Sequence, residues 1–431
     1  MANTDTKTVS IVLLLYFLVI SGLILYIISK YREEYTRCNI INKNTKDNIS
    51  KITAGDAINY NTIVEPNQDE RIVDFPCLVN YKIKTAYNCC AVNSFKNSFV
   101  SDCALRHCIQ SGAKCLDFEI YSVEGKPVVG LSSRETNINM KESYNKMDFF
   151  RAMKIVSNQM NSSNIVNKDL PMIIHLRMKT KNRKIYDIMA RDIYNAFQEK
   201  LLNSNFSYLN EKTKVGNEEE LAIRDKPLIF QSLTAGDTIE AVNTNIHSNF
   251  KQKVIIIINV KSIFNSNNPA ADFEQFLEKN DQPGMLLNYA NLVIPSEYAD
   301  QENDIAIVNA TEDQRAEFKY KTQRKLYFTS PLVSNSSRNL KFVNHHNLGF
   351  QMVGLSFQNF KASRDLNDTN DLTTDSQIAK YHKLFKDAGC YIRKTDADII
   401  RYFYFRQEPS ADTYAAITPL GTAGGDPAPI D

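Results

Sequence analysis

The run VIIIINV, Val254–Val260, decides the fold of this chain. Apart from Asn259 it is apolar throughout, so neither face of the segment is marked as solvent-exposed. A strand with this pattern is typical of a parallel sheet whose faces are covered by helices. The run therefore predicts an α/β fold with a parallel sheet.

Segments on both sides of this run alternate between helix and strand patterns. Apolar residues at helical spacing predict helices over Ser143–Met160 and Lys184–Leu202. Short apolar runs predict strands at Ala113–Tyr121, Lys126–Leu131, Pro171–Leu176, Pro227–Phe230, Gly349–Phe357 and Gly389–Ile392. This alternation indicates a parallel α/β sheet, either closed or open. Because the glycine-rich phosphate loops of open, doubly wound sheets are missing, the pattern favours a TIM-type (β/α)8 barrel.

Composition limits the classes of partner. The chain has 431 residues, of which 43% are hydrophobic and 23% charged, values typical of a globular protein with a substantial core. Its formal net charge is only +2. Such a chain has no long-range field that would attract nucleic acid, so no nucleic-acid partner is expected.

The segment Val9–Ser29 predicts a membrane-spanning helix. It carries no charged residue and is long enough to cross roughly 30 Å of hydrocarbon. A signal peptide would have a shorter apolar stretch followed by a small-residue cleavage site. Lys30, Arg32 and Arg37 follow the span, whereas Lys7 alone precedes it. This charge bias predicts a single-pass protein whose C-terminal bulk lies on the cytoplasmic side.

The remaining boundaries follow from composition. Residues 1–8 form a short N-terminal tail before the span at 9–29. Residues 30–70 are polar, and from residue 38 onward they are rich in Asn with little periodicity, which predicts a stalk or an irregular cover. Residues 71–405 form the barrel domain, and residues 406–431 have few large apolar groups and predict a disordered tail.

Eight cysteines are present, and seven of them precede residue 116. None forms a CxxC pair and no His lies at zinc-finger spacing, so a structural zinc site is not expected. The pattern favours buried thiols and a reducing compartment. The alternative is a bridge among Cys77, Cys89, Cys90 and Cys108.

Three segments, in order along the chain, resemble phosphoinositide-specific phospholipase C. They are CALRHCIQSGAKCLDFEIYSVEGKPVV at Cys103–Val129, DLPMIIHLRMKT at Asp169–Thr180, and LGFQMVGLSFQNF at Leu348–Phe360 with FKDAGCYIRK after it. The resemblance implies an X-like part at about 85–205, an atypical middle at 206–335 and a Y-like part at 336–395. It also implies a TIM-type barrel of enzymes that cleave phosphodiester bonds. The stretches CLDFEIYS and TAYNCC look most like the phospholipase-like proteins of large DNA viruses, which implies a viral membrane or virion setting.

The resemblance implies two catalytic histidines, and neither is found in this sequence. Cleavage inside the inositol ring needs a base and an acid, and imidazoles serve because their pKa lies near working pH. The family's Ser-His-Asn-Thr-Tyr motif is similar to residues 91–95 here, where Val92 takes the place of histidine and Asn93 is kept. The family's His-Gly-His-Thr motif falls near Leu131–Ser133, which has no histidine either.

The resemblance also implies a calcium site of carboxylates and an Asn, and here the pattern is altered. Asp117 and Glu119 fall at the family's paired acidic positions, with the two acids interchanged. Because residues i and i+2 of a strand share a face, both should point into the barrel mouth. Arg177 replaces the family's last carboxylate, and its guanidinium would repel calcium and pair with the two acids instead. We therefore expect a metal-free, ion-paired pocket; the alternative is calcium on Asn93, Asp117 and Glu119.

The other histidines are expected to be structural. His175 lies two residues before Arg177, so it shares the inward face, where a hydrogen-bonded interior imidazole is expected. His107 falls on the helix between the two motifs. His345 and His346 are adjacent and are expected in a loop near the barrel rim.

Two functions remain open at this level. The first is a pseudoenzyme: a barrel on a membrane anchor that serves as a binding or structural component of a viral membrane or virion. Its partners would be other virion proteins or phosphoinositide headgroups. The second is an active phosphodiesterase that uses calcium and a histidine from elsewhere, such as His175 or His345.

Overall fold

This computed structural model describes the barrel and the N-terminal helix. The described residues are 2–49, 72–73, 78–162, 165, 167–211, 228–230, 250–280, 282–331, 339–359, 378, 380–382, 384–385, 390–394 and 402–403. The predicted tail at 406–431, Cys77 and the whole segment 50–71 lie outside these residues.

Eight parallel strands form a nearly closed barrel. They are β1 (Tyr81–Ala86), β2 (Cys115–Val123), β3 (Met172–Met178), β4 (Val254–Asn259), β5 (Leu292–Ile294), β6 (Ala299–Asn303), β7 (Leu326–Ser330) and β8 (Met352–Leu355). Hydrogen bonds join them in the order β5-β4-β3-β2-β1-β8-β7-β6. The predicted parallel α/β barrel is confirmed. The apolar run that predicts it is β4, in which Val254, Ile255, Ile256, Ile257 and Ile258 are all fully buried.

The ring is completed by the covalent chain between β5 and β6. In a regular TIM barrel a helix separates successive strands, but here only residues 295–298 lie between these two. β5 pairs with β4, whereas β6 pairs with β7 on the other side. One short stretch of chain therefore passes from one neighbour to the other, and the eightfold strand–helix repeat is interrupted at this point.

Helices cover the outside of the barrel. The longer ones are α2 (Asp102–Gln110), α3 (Phe149–Met160), α4 (Lys184–Phe197), α5 (Pro269–Leu277) and α6 (Glu312–Arg324), and the short ones are Tyr208–Glu211, Asp304–Val308 and Phe342–His346. Side chains cap the starts of α3 and α6: the Asp148 carboxylate accepts the backbone N–H of Arg151 at the start of α3. Thr311 and Gln314 form a capping box at the start of α6.

Short segments complete the described structure. Three-residue or four-residue 3-10 turns occupy Leu78–Asn80, Gln198–Lys200, Ser204–Phe206, Leu228–Phe230, Met285–Asn288 and Phe357–Asn359. Lys126–Gly130 pairs antiparallel with β2 and with Met147–Asp148, and Tyr391–Arg393 pairs antiparallel with β1. Ile72–Val73 pairs with Tyr402–Phe403.

Several predicted elements differ from the structure. Pro227–Phe230 is not a strand, because its described part is the turn Leu228–Phe230. The helix predicted from Ser143 begins only at Phe149, since Met147 and Asp148 pair as a short strand first. Strands β1, β5, β6 and β7 are not among the strands predicted from the sequence, and β6, which reads ADQEN, has no apolar pattern.

The N-terminal helix α1 (Ala2–Ile49) is continuous through the predicted span. Thr8–Lys43 contains a stretch that is long and apolar enough to cross a membrane. The irregular structure predicted from residue 38 onward is wrong for 38–49, which continue the helix. Ile41 is buried against Val92, Phe99 and Ala104 of the barrel. This tertiary packing stabilises the helix, although the polar sequence of the segment does not predict one.

A disulfide joins Cys38 of α1 to Cys103 of α2. The prediction of free thiols is therefore wrong for Cys38 and Cys103. The alternative prediction of a bridge concerned Cys77, Cys89, Cys90 and Cys108, and did not include this pair. Cys89, Cys90 and Cys108 are buried free thiols, as are Cys115 and Cys390.

Around this bridge, α1 packs along the barrel surface, a contact that we call the helix–barrel seam. Its members are Tyr26, Tyr31, Cys38 and Ile41 of α1, and Val92, Phe99, Cys103, Ala104 and Tyr144 of the barrel.

Candidate functional site

The charged residues of the barrel interior come from two neighbouring strands. Asp117 and Glu119 lie on β2, and His175 and Arg177 lie on β3. The parallel register places Asp117 beside His175 and Glu119 beside Arg177. Since alternate residues of a strand share a face, all four side chains point the same way. They are 0–1% exposed, so the cluster is shielded from water.

Arg177 makes four hydrogen bonds: two with Asp117, one with Glu119 and one with Asn88. Its Nε donates to Asp117 Oδ1 at 2.9 Å and its Nη2 to Asp117 Oδ2 at 2.8 Å, a bidentate pair. Its Nη1 donates to Glu119 Oε1 at 2.8 Å. Its Nη2 also donates to Asn88 Oδ1 at 2.7 Å, and the Tyr87 ring stacks 4.5 Å from the guanidinium carbon. The predicted pairing of Arg177 with both acids is present in the structure.

Further donors bind the two carboxylates and saturate that of Asp117. Asp117 Oδ2 accepts the backbone N–H of Asn88 at 2.9 Å, and Oδ1 lies 2.8 Å from His175 Nδ1. With the two bonds from Arg177, Asp117 accepts four hydrogen bonds, which is about the capacity of a carboxylate. Glu119 Oε2 accepts the Tyr121 hydroxyl at 2.7 Å.

His175 is held from both sides of its ring. Asn259 Nδ2 lies 3.2 Å from His175 Nε2, and Asn259 in turn donates to Gln301. An Asn N–H can only donate, so Nε2 is the acceptor and Nδ1–H donates to Asp117. The Phe328 ring packs 4.1 Å from the imidazole. His175 is thus the hydrogen-bonded interior imidazole that the sequence predicts.

The protonation states follow from burial and charge. Burial raises the pKa of Asp117, but Arg177 and His175 outweigh it and hold that pKa well below its usual range. Burial also lowers the pKa of His175, although Asp117 opposes the shift. Burial lowers the pKa of Arg177 as well, but the Asp117 carboxylate reverses the effect and the net pKa is raised. Near neutral pH the cluster is therefore a carboxylate, a neutral imidazole and a fixed cation.

The cluster does not fit the calcium ion that the phospholipase resemblance implies. Calcium takes six to eight oxygen ligands at about 2.3–2.6 Å. Both oxygens of Asp117 and Oε1 of Glu119 already accept hydrogen bonds from Arg177. An ion on these oxygens would also lie close to the buried guanidinium, whose charge repels it. These contacts leave Asp117 without a free oxygen for a metal ion.

The two residues at the first histidine motif, Val92 and Asn93, have partners outside the cluster. Val92, assigned to the position of the first histidine, packs in the helix–barrel seam with Ile41 and Phe99. The backbone carbonyl of Asn93 accepts a hydrogen bond from Gln358 Nε2 at 3.3 Å. The grouping of Asn93 with Asp117 and Glu119 is a prediction that these contacts do not support. The physical reason is that the loop after β1 leads the chain away from the pocket after Asn88.

Asn88 is the pocket residue that sequence reasoning missed. It follows β1 by two positions and has a left-handed backbone with φ of 45°, which Asn tolerates. This conformation aims its N–H at Asp117 and its side-chain oxygen at Arg177. Tyr87, the residue before it, covers the guanidinium. The signal that could have found the pair is its position directly after the first strand, where barrel enzymes place site residues.

Leu131–Ser133, assigned to the second histidine motif, follows the strand Lys126–Gly130 and is buried. The backbone N–H and the hydroxyl of Ser133 donate to Glu142 at 2.6 and 2.5 Å, and the Ser132 hydroxyl donates to the backbone carbonyl of Arg134. These bonds order the loop at the rim. None of the three side chains has an imidazole's capacity to exchange a proton near neutral pH.

His107, His345 and His346 lie outside the cluster. His107 is buried in α2, and burial lowers its pKa to about 4. His345 and His346 are buried in the helix Phe342–His346, so the prediction of loop residues is wrong. His345 Nε2 lies 2.9 Å from Asp304 Oδ1, which ties this helix to Asp304–Val308.

Comparison with known proteins gives matches in structure only. No family model and no curated protein matches the chain. The chain is similar to PLC21 from L. pealei, with a TM-score of 0.49, 14% identity, and coverage of 75% of this chain and 38% of that one. PLC21 from S. officinalis gives the same TM-score of 0.49, identity of 14% and coverage of 75% and 38%. A Ca2+-dependent phosphatidylinositol-specific phospholipase C from Streptomyces antibioticus gives a TM-score of 0.34, 11% identity, and coverage of 59% and 82%. The chain thus spans 38% of the length of the two PLC21 structures.

Proposed function

We propose that this chain is a catalytically silent barrel of the phospholipase C type, held at a membrane by α1 and used as a binding or structural component. The observation that carries the proposal is the fourfold hydrogen bonding of Arg177 to Asp117, Glu119 and Asn88. A fixed cation there occupies the ligands that a divalent ion would need.

Electrostatics supports the proposal first. Phosphodiester cleavage needs positive charge that can contact the phosphate as its charge grows in the transition state. The charge of Arg177 is instead directed at two buried carboxylates, and its side chain is 1% exposed. Its N–H donors are turned inward, so they are not available to a substrate oxygen.

Proton transfer gives the second line of support. The residue that covers Arg177 is Tyr87, whose pKa is raised well above its usual value by burial. Tyr87 is therefore a poor base near neutral pH. His175 has both ring nitrogens engaged, one with Asp117 and one with Asn259.

The competing function is an active phosphodiesterase. One observation favours it: a hydrogen-bonded Asp–His pair, Asp117 with His175, is a recurring arrangement for a general base. Against it, His175 is fully buried and its outer nitrogen already accepts from Asn259.

Hydrolysis of phosphatidylinositol tests the two readings. The full chain, reconstituted in vesicles that contain this lipid, is assayed with and without millimolar calcium, beside the variant His175→Ala. We expect no turnover above the level of the variant. Calcium-dependent turnover that the substitution abolishes would establish the enzyme instead.

The setting of the protein is part of the same proposal. The resemblance of CLDFEIYS and TAYNCC to phospholipase-like proteins of large DNA viruses favours a viral membrane or virion, with virion proteins or phosphoinositide headgroups as partners. The basic residues after the span favour a cytoplasmic barrel, and the Cys38–Cys103 disulfide is the opposing observation. Flotation of the full chain with phosphoinositide vesicles, compared with vesicles of neutral lipid alone, measures the headgroup preference.

A further inference from the structure

The Cys38–Cys103 disulfide connects the membrane helix to the barrel outside the candidate site. Cys38 lies on α1, nine positions after Ser29 ends the predicted span (38 − 29), and Cys103 lies in the first turn of α2. Their separation of 65 residues includes the whole segment between helix and barrel. The bond therefore joins two parts of the chain that could otherwise move apart.

Noncovalent contacts of the helix–barrel seam extend on both sides of the bond. On the membrane side, the Tyr26 and Tyr144 hydroxyls lie 3.0 Å apart, and the Tyr31 ring packs 6.2 Å from that of Phe99. On the other side, Ile41 is buried against the barrel. From Tyr26 to Ile41 the helix rises roughly 22 Å at 1.5 Å per residue. The seam therefore begins inside the predicted span, which places the barrel directly at the membrane surface.

The pairing of these two cysteines is selective. Five other cysteines in the described part of the chain are buried free thiols, including the adjacent Cys89 and Cys90. The joined pair is partly exposed, so a soluble oxidant or reductant can reach it. A partly exposed disulfide persists in secretory and extracellular compartments and is reduced in the cytosol.

We propose that the Cys38–Cys103 disulfide is a tether that fixes the barrel against its own membrane helix, and that the barrel lies on the non-reducing side of the membrane. The bond forms by thiol–disulfide exchange with an oxidised thiol oxidoreductase. The two thiols lose two protons and two electrons as their S–S bond forms, and the oxidant's disulfide is reduced to two thiols.

This orientation is the opposite of the one that the basic residues around the span predict. The size of the charge bias decides which of the two orientations we propose. Five basic residues, Lys30, Arg32, Arg37, Lys43 and Lys46, lie within twenty positions after the span and one precedes it, a difference of four charges (5 − 1). Large domains cross membranes largely regardless of such a difference. The disulfide, in contrast, needs a compartment in which it forms.

The sequence offers independent reporters of the compartment. Asn161, Asn205 and Asn309 each begin an Asn-x-Ser/Thr acceptor for N-glycosylation, and all three are exposed on the barrel. Glycosylation enzymes act only on the luminal side of the secretory membrane. The full chain expressed in eukaryotic cells should therefore migrate faster after glycosidase treatment, and the variants Asn161→Gln, Asn205→Gln and Asn309→Gln should each reduce that shift.

A second experiment tests whether the Cys38–Cys103 disulfide is formed. A protease site inserted after residue 60 allows the purified full chain to be cut between the two cysteines. We expect the fragments to stay joined in a denaturing gel without reductant and to separate with it. Cys38→Ser should separate without reductant, whereas Cys108→Ala, a buried thiol in the same helix as Cys103, should stay joined.

The two experiments distinguish every outcome. Glycosylation together with reductant-sensitive joining supports both halves of the proposal. Glycosylation with fragments that separate without reductant overturns the tether. Joined fragments without glycosylation overturn the assignment of the compartment, and the absence of both effects overturns the whole proposal.

Discussion

Removing the cation from the barrel interior should destabilise the protein far more than removing a surface cation. The substitution Arg177→Met keeps most of the side-chain volume and deletes the charge. It leaves Asp117 and Glu119 buried without their partner, each 0% exposed. The two carboxylates then repel one another and lack a compensating charge.

The magnitude follows from the geometry. Arg177 approaches the two carboxylates at 2.8 Å, so the charge centres lie roughly 4 Å apart, where each pair is worth about 4 kcal/mol at an effective dielectric constant of 20. Much of this attraction offsets the cost of taking the charges out of water. Removing one partner of a buried ion pair costs about 3–5 kcal/mol, and we expect Arg177→Met to lower the free energy of unfolding by that amount at pH 7.

The assay is urea unfolding of the full chain in detergent, with Arg151→Met as the matched control. Arg151 pairs with Asp102 at 2.7 Å, but its side chain is 66% exposed. An exposed pair of this kind contributes about 0–1 kcal/mol. The two variants lose the same charge and differ mainly in burial.

The pH dependence provides the refuting measurement. In the wild type the Asp117 pKa is depressed, so its contribution is fully present above its usual pKa near 3.8 and is lost as pH falls below it. Without Arg177 the buried carboxylates bind protons more readily than in the unfolded chain, so the variant gains stability relative to wild type as pH falls from 7 towards 4. A stability difference that equals that of Arg151→Met, or that does not shrink over this range, would refute the reasoning.

Four further outcomes follow from the same contacts. Arg177→Glu should create a calcium-dependent fold, with a thermal midpoint that rises in millimolar calcium, whereas the wild type should show no rise. Tyr121→Phe removes the hydroxyl that donates to Glu119, and urea unfolding should show a loss of about 1.5–3 kcal/mol. Burial lowers the pKa of His107 to about 4 from its usual 6.5, so the folded state binds fewer protons than the unfolded chain in this range. The free energy of unfolding should therefore fall as pH drops from 6.5 to 4. In urea unfolding at pH 7 and pH 5, His107→Gln should lose less stability between the two pH values than the wild type does. Gly349→Ala should lower the thermal midpoint, because Gly349 has φ of +81° and an added Cβ would lie 2.5 Å from Thr322 Oγ1.

The charged core of the site could be predicted because strand periodicity is simple. Asp117 and Glu119 lie two residues apart on one strand, so their shared face follows from alternation, whereas the place of Arg177 opposite them was implied by the family resemblance. Asn88 could not be found in the same way, since its role depends on a left-handed turn after β1. The motif comparison instead placed the matching Asn at Asn93, which the loop carries away from the pocket.

Other elements were missed where tertiary contacts override local pattern. β6 reads ADQEN and is stabilised by its pairing with β7, although its sequence has little strand preference. The end of α1 is polar and Asn-rich, and its contact with the barrel through Ile41 accompanies its helical structure. Long-range contacts of this kind leave no periodic signal in the sequence.

The pairing of β1 with β8 sets the order in which a newly made chain can complete its sheet. Ile83 lies beside Met352, a partner that is synthesised 269 residues later (352 − 83). At ribosomal rates this delay is roughly 13 to 54 s. Until then β1 has a bare edge whose N–H and C=O groups can pair with any other extended chain. A truncated chain that ends before Leu355 lacks a complete β8, so this edge of β1 stays unpaired. We expect such a chain to aggregate or to bind chaperones.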